Sequence, residues 1–230
     1  MEVHRSLPQR ALPMVGAWCF LDRFGPQTAR MRVEPHPHIG LHTVPWPLVG
    51  EVRPLDGGPD AGGATATVVV GDFAGARSPA TMHTPIVGAE IHVPAGSRVR
   101  LPLDPVREYA LVGVAGVPEV HTAPDAATAL PDQGLLYLGI HRDGVEVSAQ
   151  RETTLFLLGG EPFESDIVMW WNFVGRSHDE IVAAREAWES EADDTERADA
   201  RFGHVIGHDR ERVPAPPLPA VRLTPRRRTV

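Results

Sequence analysis

The stretch VEPHPHIGLHTV, residues 33–44, places His36, His38 and His42 within a short segment. In an extended chain alternate side chains lie on the same face, so these three even-numbered imidazoles would point the same way. Neutral imidazole is the commonest metal ligand among side chains. The spacing therefore predicts a segment that can present His36, His38 and His42 to a metal ion. An isolated HxH pair also occurs on ordinary strand surfaces, so the rest of the chain must supply the remaining ligands.

One other pair has suitable residue types. Glu90 and His92, in AEIHVP, share a strand face and would supply a carboxylate and an imidazole, as in a facial triad. We favour a solvent-exposed polar face here, because these residues lie in a second predicted barrel. His83 and His121 are isolated in turn-like surroundings. The local signals of hydrolases, nucleotide-binding proteins and zincins, such as G-x-S-x-G, a P-loop or HExxH, are absent from the sequence.

The elements that would position these residues are mainly strands. From Ala64 the chain runs through short apolar or alternating segments separated by turn signals such as PAG and PDQG, a pattern typical of a β sandwich or barrel. One helix follows, because Ser177 and Glu180 form a capping-box pattern and Ile181, Ala184 and Trp188 then share one face. SHDE at 177–180 is interpreted as this helix start, not as a catalytic group.

The Gly/Pro/Asp-rich segment PLDGGPDAGGA, residues 54–64, predicts a linker or wide turn. We therefore predict domains at 1–59 and 60–213, followed by an extended tail at 214–230 that lies on the surface or is disordered.

Charge and composition restrict the partners and the compartment. Acidic residues outnumber basic ones by 30 to 22, so the electrostatic attraction needed for nucleic acid or anionic lipid is missing. Cys19 is the single cysteine of the sequence, which excludes a disulfide within one chain and a cysteine metal cluster. No apolar run reaches the length of a membrane helix, and the first residues lack a signal-peptide core. We expect a cytoplasmic protein.

Several longer motifs resemble those of the pirins, which are bicupin proteins. These are MVGAWCFLDRFGP at 14–26, HPHIGLHTV at 36–44 and LFLLGGEPFESDIVMWWNFVGRSHDEIVAAREAWE at 155–189. RFGHV at 201–205 and the PAPPLP segment are also similar to the end of the family. The resemblance implies an all-β fold of the cupin type, a bicupin of double-stranded β-helices.

In pirins an iron ion is bound by the two histidines of HPHIG and by a later His-x-Glu pair. His36 and His38 match the first pair, whereas the second pair has no match in this sequence, and Thr43 occupies the Glu position of the first cupin signature. The resemblance therefore implies a truncated N-terminal barrel, a nearly complete C-terminal barrel and one C-terminal helix. It also implies that iron binding is weak or absent, with His42 as the remaining candidate for a third ligand.

Three functions stay open at this point. The first is quercetin 2,3-dioxygenase-type chemistry on a small aromatic, flavonol-like ligand with an impaired metal site. The second is a non-catalytic pirin-like protein that binds a protein partner or regulates through its surfaces, and the third is an inert remnant of a gene deletion. Because a barrel that lacks strands leaves edges unpaired, we also expect self-association into a homo-oligomer.

Overall fold

A computed structural model describes residues 3–24, 34–44, 51–55, 63–123, 125–192, 200–203 and 212–226, with backbone alone for 51–55. Within these ranges strands predominate and one helix follows them. The strands are β1 (Val3–Leu7), β2 (Leu21–Phe24), β3 (Glu51–Leu55), β4 (Ala64–Val70), β5 (Asp72–Phe73), β6 (Ala76–Arg77), β7 (Ile86–Val93), β8 (Ser97–Pro102), β9 (Glu108–Ala115), β10 (Glu119–Ala123), β11 (Ala126–Ala129), β12 (Leu135–Gly139), β13 (Gly144–Ala149), β14 (Thr153–Gly160), β15 (Val168–Trp170) and β16 (Phe173–Gly175); the helix is α1 (His178–Ser190).

Two antiparallel sheets carry most of the strands. One has six strands in the order β12-β9-β14-β7-β4-β3, and the other has four in the order β11-β10-β13-β8. One hydrophobic cluster contains residues of both sheets, for example Val99 and Val147 from the smaller and Ile91 and Leu155 from the larger. The two sheets therefore share a single core, as the predicted sandwich or barrel requires.

Burial explains the two kinds of strand sequence. In β8, SRVRLP, buried and exposed residues alternate strictly, because the outer face of the four-stranded sheet meets solvent. In β14, TTLFLLGG, nearly every residue is buried. The outer face of the six-stranded sheet is covered by a second apolar cluster that contains Leu7 and Val15 from the N-terminal segment beside Phe156 and Leu158.

The chain forms two compact units that are discontinuous in sequence. The larger comprises residues 2–25 and 44–163, and the smaller comprises residues 26–43 and 164–229. The domain boundary predicted near residue 60 falls inside the larger unit and not at a division between the two units. Strand β3 precedes the Gly/Pro/Asp-rich connection and β4 follows it, and the two pair directly, with Leu55 opposite Ala64. That segment thus joins neighbouring strands of one sheet, and folding of 60–213 alone stays a prediction.

Helix α1 begins at the predicted Ser177 cap, but Glu180 bonds back to Arg176 and not to the Ser177 N–H of a full capping box. The Ser177 hydroxyl accepts a hydrogen bond from the Glu180 N–H at 3.2 Å, and the Glu180 carboxylate accepts one from the Arg176 N–H at 2.7 Å. Ile181, Ala184 and Trp188 are the buried residues of the helix. The predicted helix start at SHDE is therefore confirmed, and the helix packs through the predicted face.

The segment 212–226 has no regular secondary structure and runs along α1. The indole N–H of Trp188 donates to the Val213 carbonyl at 2.9 Å, and the Arg185 Nε donates to the Pro216 carbonyl at 2.7 Å. A Glu189 carboxylate oxygen accepts from the Ala215 N–H at 2.7 Å. These hydrogen bonds fix an extended segment whose prolines prevent it from forming a helix or ladder of its own. In the described part of the chain no helix is long and apolar enough to cross a membrane.

Candidate metal centre

The histidine segment belongs to the smaller unit and is held by backbone contacts. Ile39 forms a parallel bridge with Phe173, and the Val174 N–H donates to the Ile39 carbonyl at 3.0 Å. On the N-terminal side of the histidines, the Pro35 carbonyl accepts a hydrogen bond from the Val213 N–H at 2.8 Å. The histidines are therefore positioned by the β15–β16 hairpin and by the segment that follows α1.

The structure explains why the HPHIG motif ends in a glycine, Gly40. Its φ of +64° lies in the left-handed region, and a Cβ there would come within 2.3 Å of the Val174 carbonyl oxygen. Only glycine permits both this conformation and this close approach to the neighbouring strand. The glycine thus maintains the distance between the histidine segment and β16.

His36 and His38 lie next to each other. Their ring centroids are 4.8 Å apart, with ring planes at 70°. His36 Nδ1 is 2.9 Å from the Glu34 carbonyl oxygen, so it donates there in the tautomer that leaves Nε2 with a free lone pair. A hydrogen bond of this kind is what fixes a metal-binding imidazole in proteins.

The pKa of His38 lies below its ordinary value. Partial loss of hydration is the larger cause, and repulsion from a charged His36 is the smaller one. Both effects favour the neutral imidazole, which is the form that binds metal.

Within the described ranges no third ligand is grouped with this pair. His42 is exposed, and among the described residues no group of three or more His, Cys, Asp or Glu side chains could hold a metal ion. Ligation by His36, His38 and His42 together stays a prediction.

The alternative residues have other surroundings. His92 Nε2 lies 3.1 Å from Glu152 Oε1 in a largely exposed ion pair. His121 Nε2 lies 2.8 Å from the Ser148 hydroxyl on the outer face of the four-stranded sheet, and His83 is exposed. The polar-surface interpretation of His92 agrees with its contact, whereas the turn-like surroundings predicted for His121 are wrong, because His121 lies within strand β10.

Comparison with known proteins identifies the family. The profile of the Pirin C-terminal cupin domain matches residues 88–192. A Pseudomonas aeruginosa protein named "Putative quercetin 2,3-dioxygenase" is 32% identical over 284 aligned positions, which cover 95% of this chain and 86% of the relative. The chain belongs to the pirin family. The predicted resemblance is thereby confirmed.

Two further relatives support the pirin fold. A "Pirin-like protein" of Caulobacter vibrioides is 24% identical over 266 positions, covering 82% of this chain and 88% of that protein. The crystal structure of quercetin 2,3-dioxygenase from Acinetobacter baumannii superposes with a TM-score of 0.75 at 26% identity, covering 96% of this pirin chain and 92% of the other. The predicted all-β cupin fold is confirmed. The alignment with the Pseudomonas protein is longer than the 230 residues of this chain, so that relative contains residues without a counterpart here.

The family resemblance implies an iron ion in this pirin. The side chains around His36 and His38 can therefore be compared with the ligands that iron requires. Mononuclear non-haem iron sites use two imidazoles and a carboxylate with open positions. The described residues supply the two imidazoles of His36 and His38 and no carboxylate grouped with them. The described residues therefore do not fit a complete iron centre, although each imidazole is suited to bind a metal.

The sequence did not predict which residues hold the histidine segment in place. Neither the bridge from Ile39 to Phe173 nor the hydrogen bond from Val213 to Pro35 has a local signal, because each joins residues more than a hundred positions apart. The glycine in HPHIG was a visible signal of close backbone approach, but its partner strand could not be read from the sequence.

Proposed function

We propose that this chain is a pirin-family cupin protein descended from metal-dependent quercetin 2,3-dioxygenase-type enzymes, with an impaired metal site of its own. The observation that supports the proposal is the pair of His36 and His38, whose rings are 4.8 Å apart and with which no carboxylate of the described residues is grouped. A metal ion held at such a site would supply the oxygenation chemistry of these dioxygenases on a flavonol-like ligand. In this chain His36 and His38 would hold the metal, and we expect iron to bind weakly or not at all.

The second candidate is a non-catalytic pirin-like protein that acts by binding a protein partner or a small aromatic ligand. The smaller unit has its own apolar cluster, in which Phe173, Ile181 and Trp188 are almost fully buried. Burial on this scale contributes about 1.5–3 kcal/mol per large side chain, so the unit does not depend on a metal for its core. A buried core beside two imidazoles with which no described carboxylate is grouped supports a binding role.

Metal content and turnover test the first proposal. The protein is purified without a nickel column, and its iron, zinc, nickel and copper are quantified by mass spectrometry beside a quercetin oxygenation assay. We expect well under one equivalent of iron and absent or very slow turnover, because two of the four family ligands are missing. Nickel or copper binds more tightly than iron, since affinity rises along that series.

The control variants locate whatever metal is found. His36→Ala combined with His38→Ala removes the candidate ligands, whereas His83→Ala removes an exposed histidine elsewhere. Stoichiometric iron that is lost in the double variant and kept in His83→Ala would contradict the impaired site. Rapid quercetin turnover in such a preparation would also exclude the non-catalytic candidate.

A further inference from the structure

A cavity of about 620 Å³ opens within the larger unit, between the β5–β6 hairpin, the end of β8 and the start of β9. Small-molecule sites in proteins usually have volumes of about 300–1,000 Å³. Its polar lining consists of Asp72, Arg100, Asp104, Arg107 and Tyr109. The histidine segment contributes no residue to this lining.

Arg107 is a mostly buried cation whose hydrogen bonding is incomplete. Its side chain is 16% exposed, and its terminal nitrogens lie 3.2 and 3.5 Å from the two Asp72 oxygens. These contacts are longer than the roughly 2.7–2.9 Å of a good charge-assisted hydrogen bond. The Nε is buried without a hydrogen-bond partner among the described residues, and Asp104 Oδ2 is 3.6 Å away. An N–H donor in the cavity lining thus lacks an acceptor.

Tyr109 contributes a second donor to the same lining. Its side chain is almost fully buried, and its hydroxyl oxygen accepts a hydrogen bond from the Asp104 N–H at 3.1 Å. No hydrogen bond donated by the Tyr109 hydroxyl is found among the described residues. Burial raises the pKa of Tyr109, so the hydroxyl keeps its proton at neutral pH. The long Arg107 contacts and the Tyr109 hydroxyl therefore leave hydrogen-bonding capacity that water or a ligand in the cavity can use.

Two aspartate carboxylates also line the cavity, beside Arg107 and Tyr109. The side chains of Asp72 and Asp104 are 57% and 45% exposed, and each carboxylate offers about four lone-pair positions. With Arg100 and Arg107, the formal charges of the lining cancel. An anionic ligand would meet the two aspartates that flank Arg107, whereas a neutral hydroxyl can accept from Arg107 or Tyr109 and donate to Asp72 or Asp104.

The cavity lining also has an apolar part. Phe73 and Leu103 are nearly buried and provide a non-polar floor. Ala74 at φ +50° and Gly75 at φ +80° form the two-residue turn of the hairpin, a type whose twist matches that of its strands. A rigid wall with an apolar floor and paired donors and acceptors suits a ring that has hydroxyl groups around its edge.

We propose that this cavity binds a neutral polyhydroxylated ligand of the sugar class. Arg107 and Tyr109 donate to its hydroxyl oxygens, and Asp72 and Asp104 accept from its hydroxyl hydrogens. The apolar face of the ring lies against Phe73 and Leu103. The site is independent of His36 and His38 and needs no metal.

The test uses saturation-transfer NMR on the full chain with a panel of neutral mono- and disaccharides at millimolar concentration. At least one sugar is expected to bind, and Asp72→Asn is expected to weaken it about tenfold, because a hydrogen bond to a charged group is lost. Asp72 is more than half exposed, so this variant should fold, which thermal unfolding checks. Tyr109→Phe should weaken binding as well.

Arg98→Gln is the matched control. Arg98 lies on β8 like Arg100 but pairs with Glu146 outside the cavity, so its loss should leave sugar binding unchanged. No binding by any sugar of the panel would overturn the proposal. So would a sugar signal that survives both Asp72→Asn and Tyr109→Phe, or a clear preference for simple carboxylates over sugars.

Discussion

The carboxyl group of Glu108 joins β9 to the N-terminal segment by accepting a hydrogen bond from the Gly16 N–H at 2.5 Å. Its other oxygen accepts from the Tyr137 hydroxyl at 2.6 Å, and Glu108 is 1% exposed. Gly16 lies at φ +53°, where a Cβ would come within 2.9 Å of the Gly160 Cα. The family motif around residue 16 is therefore fixed to the six-stranded sheet by a buried polar group.

Removal of this carboxyl group should destabilise the fold. Glu108→Ala leaves a buried N–H and a half-buried hydroxyl without their acceptor, and we expect a loss of about 2–4 kcal/mol in the free energy of unfolding. Glu108→Gln keeps one acceptor oxygen and should lose less. Urea unfolding measures both, with the exposed Glu119→Ala as control. An unfolding free energy for Glu108→Ala within about 0.5 kcal/mol of wild type would refute this role.

Gly40 can be compared with Gly203, because the two glycines have nearly the same φ angle. The two have φ of +64° and +66°, but a Cβ at residue 203 would meet nothing within 4 Å. Gly203→Ala should cost about 1 kcal/mol from conformation alone. Gly40→Ala adds a clash with the Val174 carbonyl, so we expect a loss of about 2–4 kcal/mol and displaced histidines. Thermal unfolding and the NMR shifts of His36 and His38 report the two effects; equal losses in both variants would disprove the close approach.

The low pKa of His38 should depend on the neighbouring His36. We expect His36→Ala to raise the pKa of His38 toward its ordinary value of 6.5, because the repulsion from His36 is removed. The rise should be partial, since loss of hydration is the larger cause and remains. NMR titration of the His38 ring measures this, with His83→Ala as control; an unchanged pKa in His36→Ala would contradict the pairing.

The same shift has a consequence for stability. Because the folded-state pKa of His38 is lowered, the unfolded chain binds a proton at higher pH than the folded one. The contribution of His38 to the free energy of unfolding therefore decreases as pH falls from about 6.5 to the folded pKa, and is constant below it. His38→Ala should remove this dependence in urea unfolding measured at several pH values.

Self-association has a specific candidate edge in the structure. Strand β11, Ala126–Ala129, ends the four-stranded sheet, and its four residues are exposed and uncharged. Edge strands without charge or proline recruit other strands, so we expect a homo-oligomer at high micromolar concentration. Ala127→Lys should shift light scattering toward the monomer, while Ala123→Lys on the neighbouring β10 serves as control. A wild-type protein that is strictly monomeric under these conditions would refute this expectation.

Local patterns predicted part of the fold and less of the site. The helix start at Ser177 and the buried face of Ile181, Ala184 and Trp188 follow from nearest-neighbour chemistry, and each is found. The alternation in β8 likewise reflects one exposed face. The pairing of β3 with β4 could not be foreseen, because glycine and proline in the connection are equally typical of a linker and of a long hairpin turn.

The adjacency of His36 and His38 followed from their spacing, but the groups that hold them did not. Contacts such as Gly16 with Glu108, or Pro35 with Val213, join distant parts of the chain. Their geometry depends on how the sheets and the helix pack, which no short segment encodes.

The bridge between Ile39 and Phe173 also sets an order of events during synthesis. The ribosome makes the histidine segment long before β16 and the residues around Val213, which at about 5–20 residues per second is an interval on the order of ten seconds. During that interval both imidazoles belong to a nascent peptide without its docking partners. A metal captured then would be chosen by the ions available at the ribosome and by a flexible peptide, before any folded geometry could select among them.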